Sequence, residues 1–236
     1  MSEVSGRNPT AARTRKHSVK PVGDEHSKPY HHGSLPQALL RAAEIVLERD
    51  GIGGLSLRAI AREAGVSHTA PQHHFGDTSG VLSELAAHGF MRLSASMASH
   101  AEAVHDASDR RGAVARGYID FAKKNPDLMR LMSRGEMLDS SRPSLIEARK
   151  AAAAGLTGVF NKGPSSEPSG NAPFAPMDVT KAVALTAAWA YVHGLALLLI
   201  DGRLNALAAS VQGIRDADEL VAAAIEHVTL TFEKIE

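Results

Sequence analysis

SLRAIAREAGVSHTAPQHHFGD, Ser56 to Asp77, decides how this chain is read. Ser56 can cap a short helix that turns Ile60, Ala61 and Ala64 to one side and stops at Gly65, a residue free to take the left-handed conformation a sharp turn needs. Only Val66 separates that stop from Ser67, which can cap a second helix running to about Phe75. Two short helices around such a turn, with Ala61 and Ala64 small enough for close approach, are the sequence form of a helix-turn-helix. The outward residues of the second helix are His68, Thr69, Ala70, Gln72, His73 and His74, a set of hydrogen-bond donors and acceptors suited to base edges in a major groove, while Phe75 returns to the core. This helix carries no acidic residue, and Arg58 and Arg62 add fixed positive charge beside it. Phosphates can therefore approach it, and its N-terminus presents the positive end of the helix dipole.

Working outward, the preceding helix has its own start signal: Ser34 as N-cap, Pro36 in the first turn and Gln37 three residues after the cap. Leu39, Ala42, Ala43, Val46 and Leu47 form one apolar face, and Gly51 ends it. On the other side, Asp77 can cap a long helix with an inward stripe of Leu82, Leu85, Ala86, Gly89, Leu93 and Met97; Gly80 in its first turn reads as a weak spot. Helical periodicity continues at about 110–124, 126–134, 142–161, 178–201 and 215–235, with no run that reads as a strand. The fold expected is all-α. Residues 1–29 lack apolar periodicity and carry more Lys and Arg than Asp and Glu, as expected of a disordered basic arm. GPSSEPSGNAPFAP, residues 163–176, is expected to be a mobile loop between helices.

Composition narrows the function. In 236 residues there are 26 Lys+Arg against 26 Asp+Glu, so no bulk charge draws the chain to nucleic acid or membrane, and a local patch must do so. Zero cysteines exclude disulfide scaffolds and thiol chemistry, and 4% aromatic residues leave a core of Ala, Leu, Val, Ile and Met. The pairs His31/His32 and His73/His74 cannot chelate one ion easily, because neighbours on a helix point about 100° apart. With no nucleophile elbow, no phosphate-cradling glycine loop and no paired acid and base, the sequence reads as non-enzymatic, without cofactor or metal.

The longer run YHHGSLPQALLRAAEIVLERDGIGGLSLRAIAREAGVSHTAPQHHFGDTSGVL, Tyr30 to Leu82, resembles the DNA-binding domain of the TetR family of bacterial transcriptional repressors. The resemblance implies a helix-turn-helix domain at 30–78 and a helical effector-binding and dimerisation domain at 79–236, together a homodimeric repressor released from a palindromic operator by a small molecule. By position it puts Arg58, Ser67, His68, Thr69, Ala70, Gln72, His73, His74 and Thr78 at the DNA. Gln72 and Thr78 depart from the family pattern, which has Tyr and Lys there, and both changes weaken electrostatic affinity. They also keep another class open: a helical ligand-binding or adaptor protein without a defined operator. Trp189, His193 and Gly194 in AWAYVHGLALLLIDGRL, residues 188–204, look like the Trp-His-Gly signature of one C-terminal class of these regulators.

Ala182 to Ile200 carries no formal charge with His193 neutral, long enough to raise a membrane span. Its alanines, Thr186, Tyr191 and His193 fit better a helix buried where two subunits meet, with the final helix completing an intersubunit four-helix bundle. Tyr118, Phe121, Met129, Met132, Met137, Trp189 and His193 are the expected lining of an apolar effector pocket. The partners expected are double-stranded operator DNA, a small hydrophobic effector and a second copy of the chain, in the cytoplasm and away from membranes.

Overall fold

The chain's local signals place helix after helix, and the computed structural model of the protein follows them closely where caps are present. It describes residues 35–106, 109–158, 174 and 176–228. The expected arm at 1–29, the Ser34 cap, nearly all of the 163–176 loop and residues 229–235 of the final helix lie outside the described residues.

Helix α1 (Leu35–Gly54) leaves helical geometry at Gly51, which has φ 69°, so the expected stop is a kink followed by one further turn. In α2 (Leu57–Ala64) the Ser56 hydroxyl accepts from the Ala59 N–H at 3.2 Å, and Gly65 closes the helix at φ 67°. There the Val66 N–H bonds the Ala61 carbonyl at 3.0 Å, satisfying a carbonyl the helix leaves open. Ala59, Ile60 and Ala61 are buried, and Ala64 is partly so.

The next helix, α3 (Ala70–Phe75), starts later than its sequence suggests. Ser67 does not cap it. Its hydroxyl pairs with that of Thr69 at 3.1 Å, and a turn closed by the Ala70 N–H on the Ser67 carbonyl precedes the helix. Pro71 is the physical reason. A helix capped by Ser67 would need an N–H at residue 71, whereas one opening at Thr69 puts proline in the first turn, where no donor is required.

Asp77 does cap α4 (Thr78–Glu102), accepting from the Gly80 N–H at 2.8 Å. Its stripe of Leu82, Leu85, Ala86, Gly89, Leu93 and Met97 is buried throughout. Gly80 is no weak spot: a Cβ there would stand 2.0 Å from the Phe75 carbonyl oxygen and 2.3 Å from Arg142 Nη2, so tertiary packing demands glycine.

Beyond it run α5 (Arg110–Lys124), α6 (Pro126–Met132), α7 (Pro143–Gly158), α8 (Val179–Ile200), α9 (Asn205–Ala209) and α10 (Ala217–His227), with a 3-10 turn at Gly135–Met137. The short α9 has no counterpart in the periodicity; Ala208 is its buried residue. Among the described residues there is no strand. α4 is the spine, packing on α7 and α5 and touching α6 and α1. Arg92 on α4 ties Glu44 of α1 to Asn125 at the start of α6. The described residues all belong to one compact unit.

α8 is the exception to burial. It is long and apolar enough to cross a membrane, yet few of its residues are buried. Leu185, Val192 and Ala196 face inward, and Tyr191 donates to the Ala224 carbonyl of α10 at 2.8 Å. Val179, Val183, Thr186 and Ala190, spaced as one helical stripe, face outward and are exposed among the described residues.

Candidate functional site

The outer surface of α3 is built by two anchors. Pro71 and Phe75 are buried, four residues apart on the inner face, and they fix the roll of a helix too short to hold itself by backbone bonding alone. That roll leaves Gln72, His73 and His74 exposed, with Ser67, His68 and Thr69 exposed in the turn before them and Ala70 and Thr78 partly covered at the edges. Arg58 is exposed on α2 and has no carboxylate partner among the described residues. By contrast Arg49, at the far end of α1, is neutralised by Asp50 at 3.0 Å and Glu63 at 2.7 Å. The nine residues expected at DNA are thus exposed or partly exposed on α2, α3, the turn between them and the start of α4; α3 itself carries no acidic side chain, and the exposed Asp77 follows it.

Residues 39–85 match the family described as bacterial regulatory proteins, tetR family. Residues 112–228 match the tetracyclin repressor-like C-terminal domain. The chain belongs to the TetR family.

A protein of unknown function from Rhodococcus sp. RHA1 is 36% identical, with a TM-score of 0.63, and the match covers 84% of this chain and 95% of that one. The TetR-family regulator PfmR from Thermus thermophilus has the same fold at 19% identity, with a TM-score of 0.52 over 80% of this chain and 94% of that one. An uncharacterised helix-turn-helix transcriptional regulator from Bacillus subtilis (strain 168), YobS, is 26% identical over 99 residues, which span 40% of this chain and 49% of YobS. As a TetR-family member the chain is a DNA-binding transcriptional regulator with a helical C-terminal regulatory domain.

In that C-terminal region the residues expected to line a pocket separate into groups. Phe121, Met129 and Met132 are packed in the core, and Met137 lies partly buried in the 3-10 turn against the start of α4. Tyr118, Trp189 and His193 do come together. The Tyr118 hydroxyl meets His193 Nδ1 at 2.9 Å across α5 and α8, and the Trp189 indole N–H reaches toward the same oxygen. Burial pushes the Tyr118 phenol up to about 12, and burial also pulls His193 below the usual imidazole range, so the pair is neutral near pH 7.

A cavity of about 180 Å³ opens elsewhere, among α4, α5 and α7, lined by Met97, Ala98, Ala101, Arg110, Val114, Ala154 and Gly155. Sequence reasoning missed this lining because small residues on α4 and α7 look like close packing; the gap they leave beside α5 appears only when the helices are assembled. Among the described residues no group of three or more His, Asp or Glu side chains could hold a metal ion.

Proposed function

We propose that this protein is a cytoplasmic, homodimeric, non-catalytic repressor that binds a pseudo-palindromic operator through α3 and leaves it when a small apolar molecule occupies the regulatory region. The observation that carries the DNA part is the acid-free surface of α3, anchored from beneath by Pro71 and Phe75 and flanked by Arg58, which has no carboxylate partner among the described residues. On this reading Arg58, Ser67, His68, Thr69, Ala70, Gln72, His73, His74 and Thr78 contact base edges and nearby phosphates. Residues 30–78 act as the reading domain, residues 79–236 as the effector and dimerisation domain, and the basic residues of 1–29 add sequence-independent affinity. No cofactor or metal enters.

The outward stripe Val179, Val183, Thr186 and Ala190 supports a dimer in which α8 and α10 pair with their copies. A two-fold dimer presents two α3 helices, and half-sites then fall about one DNA turn, or a multiple of it, apart. The cavity among α4, α5 and α7 favours a compact apolar ligand, since its volume is below the range of about 300–1,000 Å³ that holds drug-sized molecules. Val114 in its wall lies one turn from Tyr118, so an occupant there bears on the Tyr118, Trp189 and His193 cluster.

Selection of duplexes from a random-sequence library by the purified protein tests the DNA reading directly. A repeated, inverted half-site is the expected outcome, and Arg58→Ala and His73→Ala are expected to weaken binding to that duplex at least tenfold while the dimer persists. No enrichment of any sequence would leave the adaptor reading in its place.

A further inference from the structure

We infer that Arg142, at the start of α7, is the positioning residue of the reading helix: it caps the last carbonyl of α3 from within the regulatory region and so sets where α3 points. The inference rests on α3 being the helix that meets DNA. Arg142 Nη2 donates to the Phe75 carbonyl oxygen at 2.7 Å, 67 residues away in sequence. The carbonyls at a helix C-terminus have no partner within the helix, and a cation is favoured there by the dipole. A six-residue helix has almost no bonding of its own, so an external cap bears on its whole orientation.

The guanidinium is aimed. Its Nη1 donates to Glu84 Oε1 on α4 at 3.0 Å, and the Ser144 hydroxyl donates to the same oxygen at 2.8 Å. The buried Nε atom makes no hydrogen bond but faces the Asp139 carboxylate, whose Oδ2 lies 4.0 Å away, so the third side of the guanidinium is met by charge alone. Gly80 makes an independent concession to the same contact, because any side chain there would occupy the space between Phe75 and Arg142.

The segment that carries Arg142 is clamped to the start of α4. Ser79 donates to the Met137 carbonyl at 3.2 Å. Ser83, fully buried, donates to the Ser79 carbonyl at 2.7 Å and accepts from the Asp139 N–H at 2.7 Å. One step back along the chain, Arg130 of α6 holds the end of α8 through Asp201 and the Ile200 carbonyl, each at 2.9 Å. A shift of α6 or α7 is therefore delivered to α3 through residues 133–142 as well as along α4.

Arg142→Gln tests this in the full chain, with two readouts. Hydrogen exchange of residues 70–76 needs no DNA and is expected to quicken at least tenfold, with α4 and α7 protected as before. Affinity for the duplex selected by the wild type is expected to fall at least tenfold, with affinity for a scrambled duplex within twofold. Arg142→Lys, which keeps the charge but has no fork, is expected to fall between and serves if the glutamine variant does not fold. Wild-type exchange at 70–76 in either variant overturns the inference, as does an equal loss of protection in α3, α4 and α7, or an equal loss of affinity for both duplexes. If the wild type selects no duplex at all, the DNA reading fails while the exchange result still decides whether Arg142 caps α3.

Discussion

α2 and α3 lie side by side and are of similar length, but α2 is bounded by its own sequence and α3 by the rest of the protein. Ser56 caps α2 through its side chain, and Gly65 at φ 67° ends it, both within two residues of the helix. α3 has no side-chain cap at its start, and at its end the Phe75 carbonyl is met by Arg142 from α7. Local chemistry makes α2 a fixed platform. The orientation of α3, which carries the residues proposed to meet DNA, is left to contacts made from outside it. On the proposed reading, in which α3 moves in response to an event elsewhere, that division puts adjustable bonding where movement is needed.

The largest effect that would sharpen this contrast is expected at Gly80. By helix propensity alone, replacing a glycine within a helix stabilises by about 1 kcal/mol. At this position the space is filled by Phe75 and Arg142, so Gly80→Val is expected to destabilise the fold by about 3 kcal/mol and to abolish binding to the selected duplex. Urea denaturation measures the sign. A stabilised Gly80→Val variant would mean that the start of α4 is governed locally, like α2.

α8 is a third case, a helix whose exposed face the proposed dimer would cover. Ala190 is exposed in the single chain, and Glu there costs the isolated fold little. In a dimer joined through this stripe an unpaired buried carboxylate costs about 3 kcal/mol, so Ala190→Glu is expected to raise the dimer dissociation constant by about a hundredfold. Analytical ultracentrifugation would register the change. An unchanged dimer would place the partner on some other face.

The pair formed by Tyr118 and His193 joins α5 to α8, and it tests whether the adjustable bonding is confined to α3. Tyr118→Phe removes one buried hydrogen bond and is expected to cost about 1–2 kcal/mol, with duplex affinity of the ligand-free protein unchanged. The two groups titrate in opposite senses. His193 binds its proton less readily folded than unfolded, so its contribution is present above the unfolded value of 6.5 and is lost as pH falls below it. Tyr118 holds its proton more tightly folded than unfolded, so its contribution is present below pH 10 and is lost as pH rises toward about 12. In Tyr118→Phe the alkaline loss is expected to disappear while the acid one remains, which thermal melts across pH would show.

What the sequence made legible follows the same line. The helix-turn-helix, the caps Ser56 and Asp77, the buried stripe of α4 and the shared face of Trp189 and His193 all depend on residues within a turn or two of each other, whereas Tyr118 joins that face from α5. The late start of α3, the need for glycine at residue 80, the role of Arg142 and the cavity beside Val114 depend on what another helix places in the same volume. Gly80 did carry a signal, since a glycine in the first turn after Asp77 is costly unless something approaches closely. The spacing alone could not say what.

The smallest expected effect separates two serines that look alike in sequence. Ser56 and Ser67 each precede a short helix, and each reads as its N-cap. Ser56 accepts from the Ala59 N–H, so Ser56→Ala is expected to cost about 1 kcal/mol. Ser67 bonds only Thr69 through its side chain, on the exposed surface, and Pro71 has moved the start of α3 beyond its reach. Ser67→Ala is therefore expected to change the stability of the free protein by less than about 0.5 kcal/mol. Because Ser67 faces the proposed DNA surface, the same variant separates its two roles: duplex affinity falls while the melting temperature holds. Equal losses of stability in the two variants would show that α3 is capped like α2, and the contrast between a self-bounded helix and one bounded from outside would then rest on its C-terminus alone.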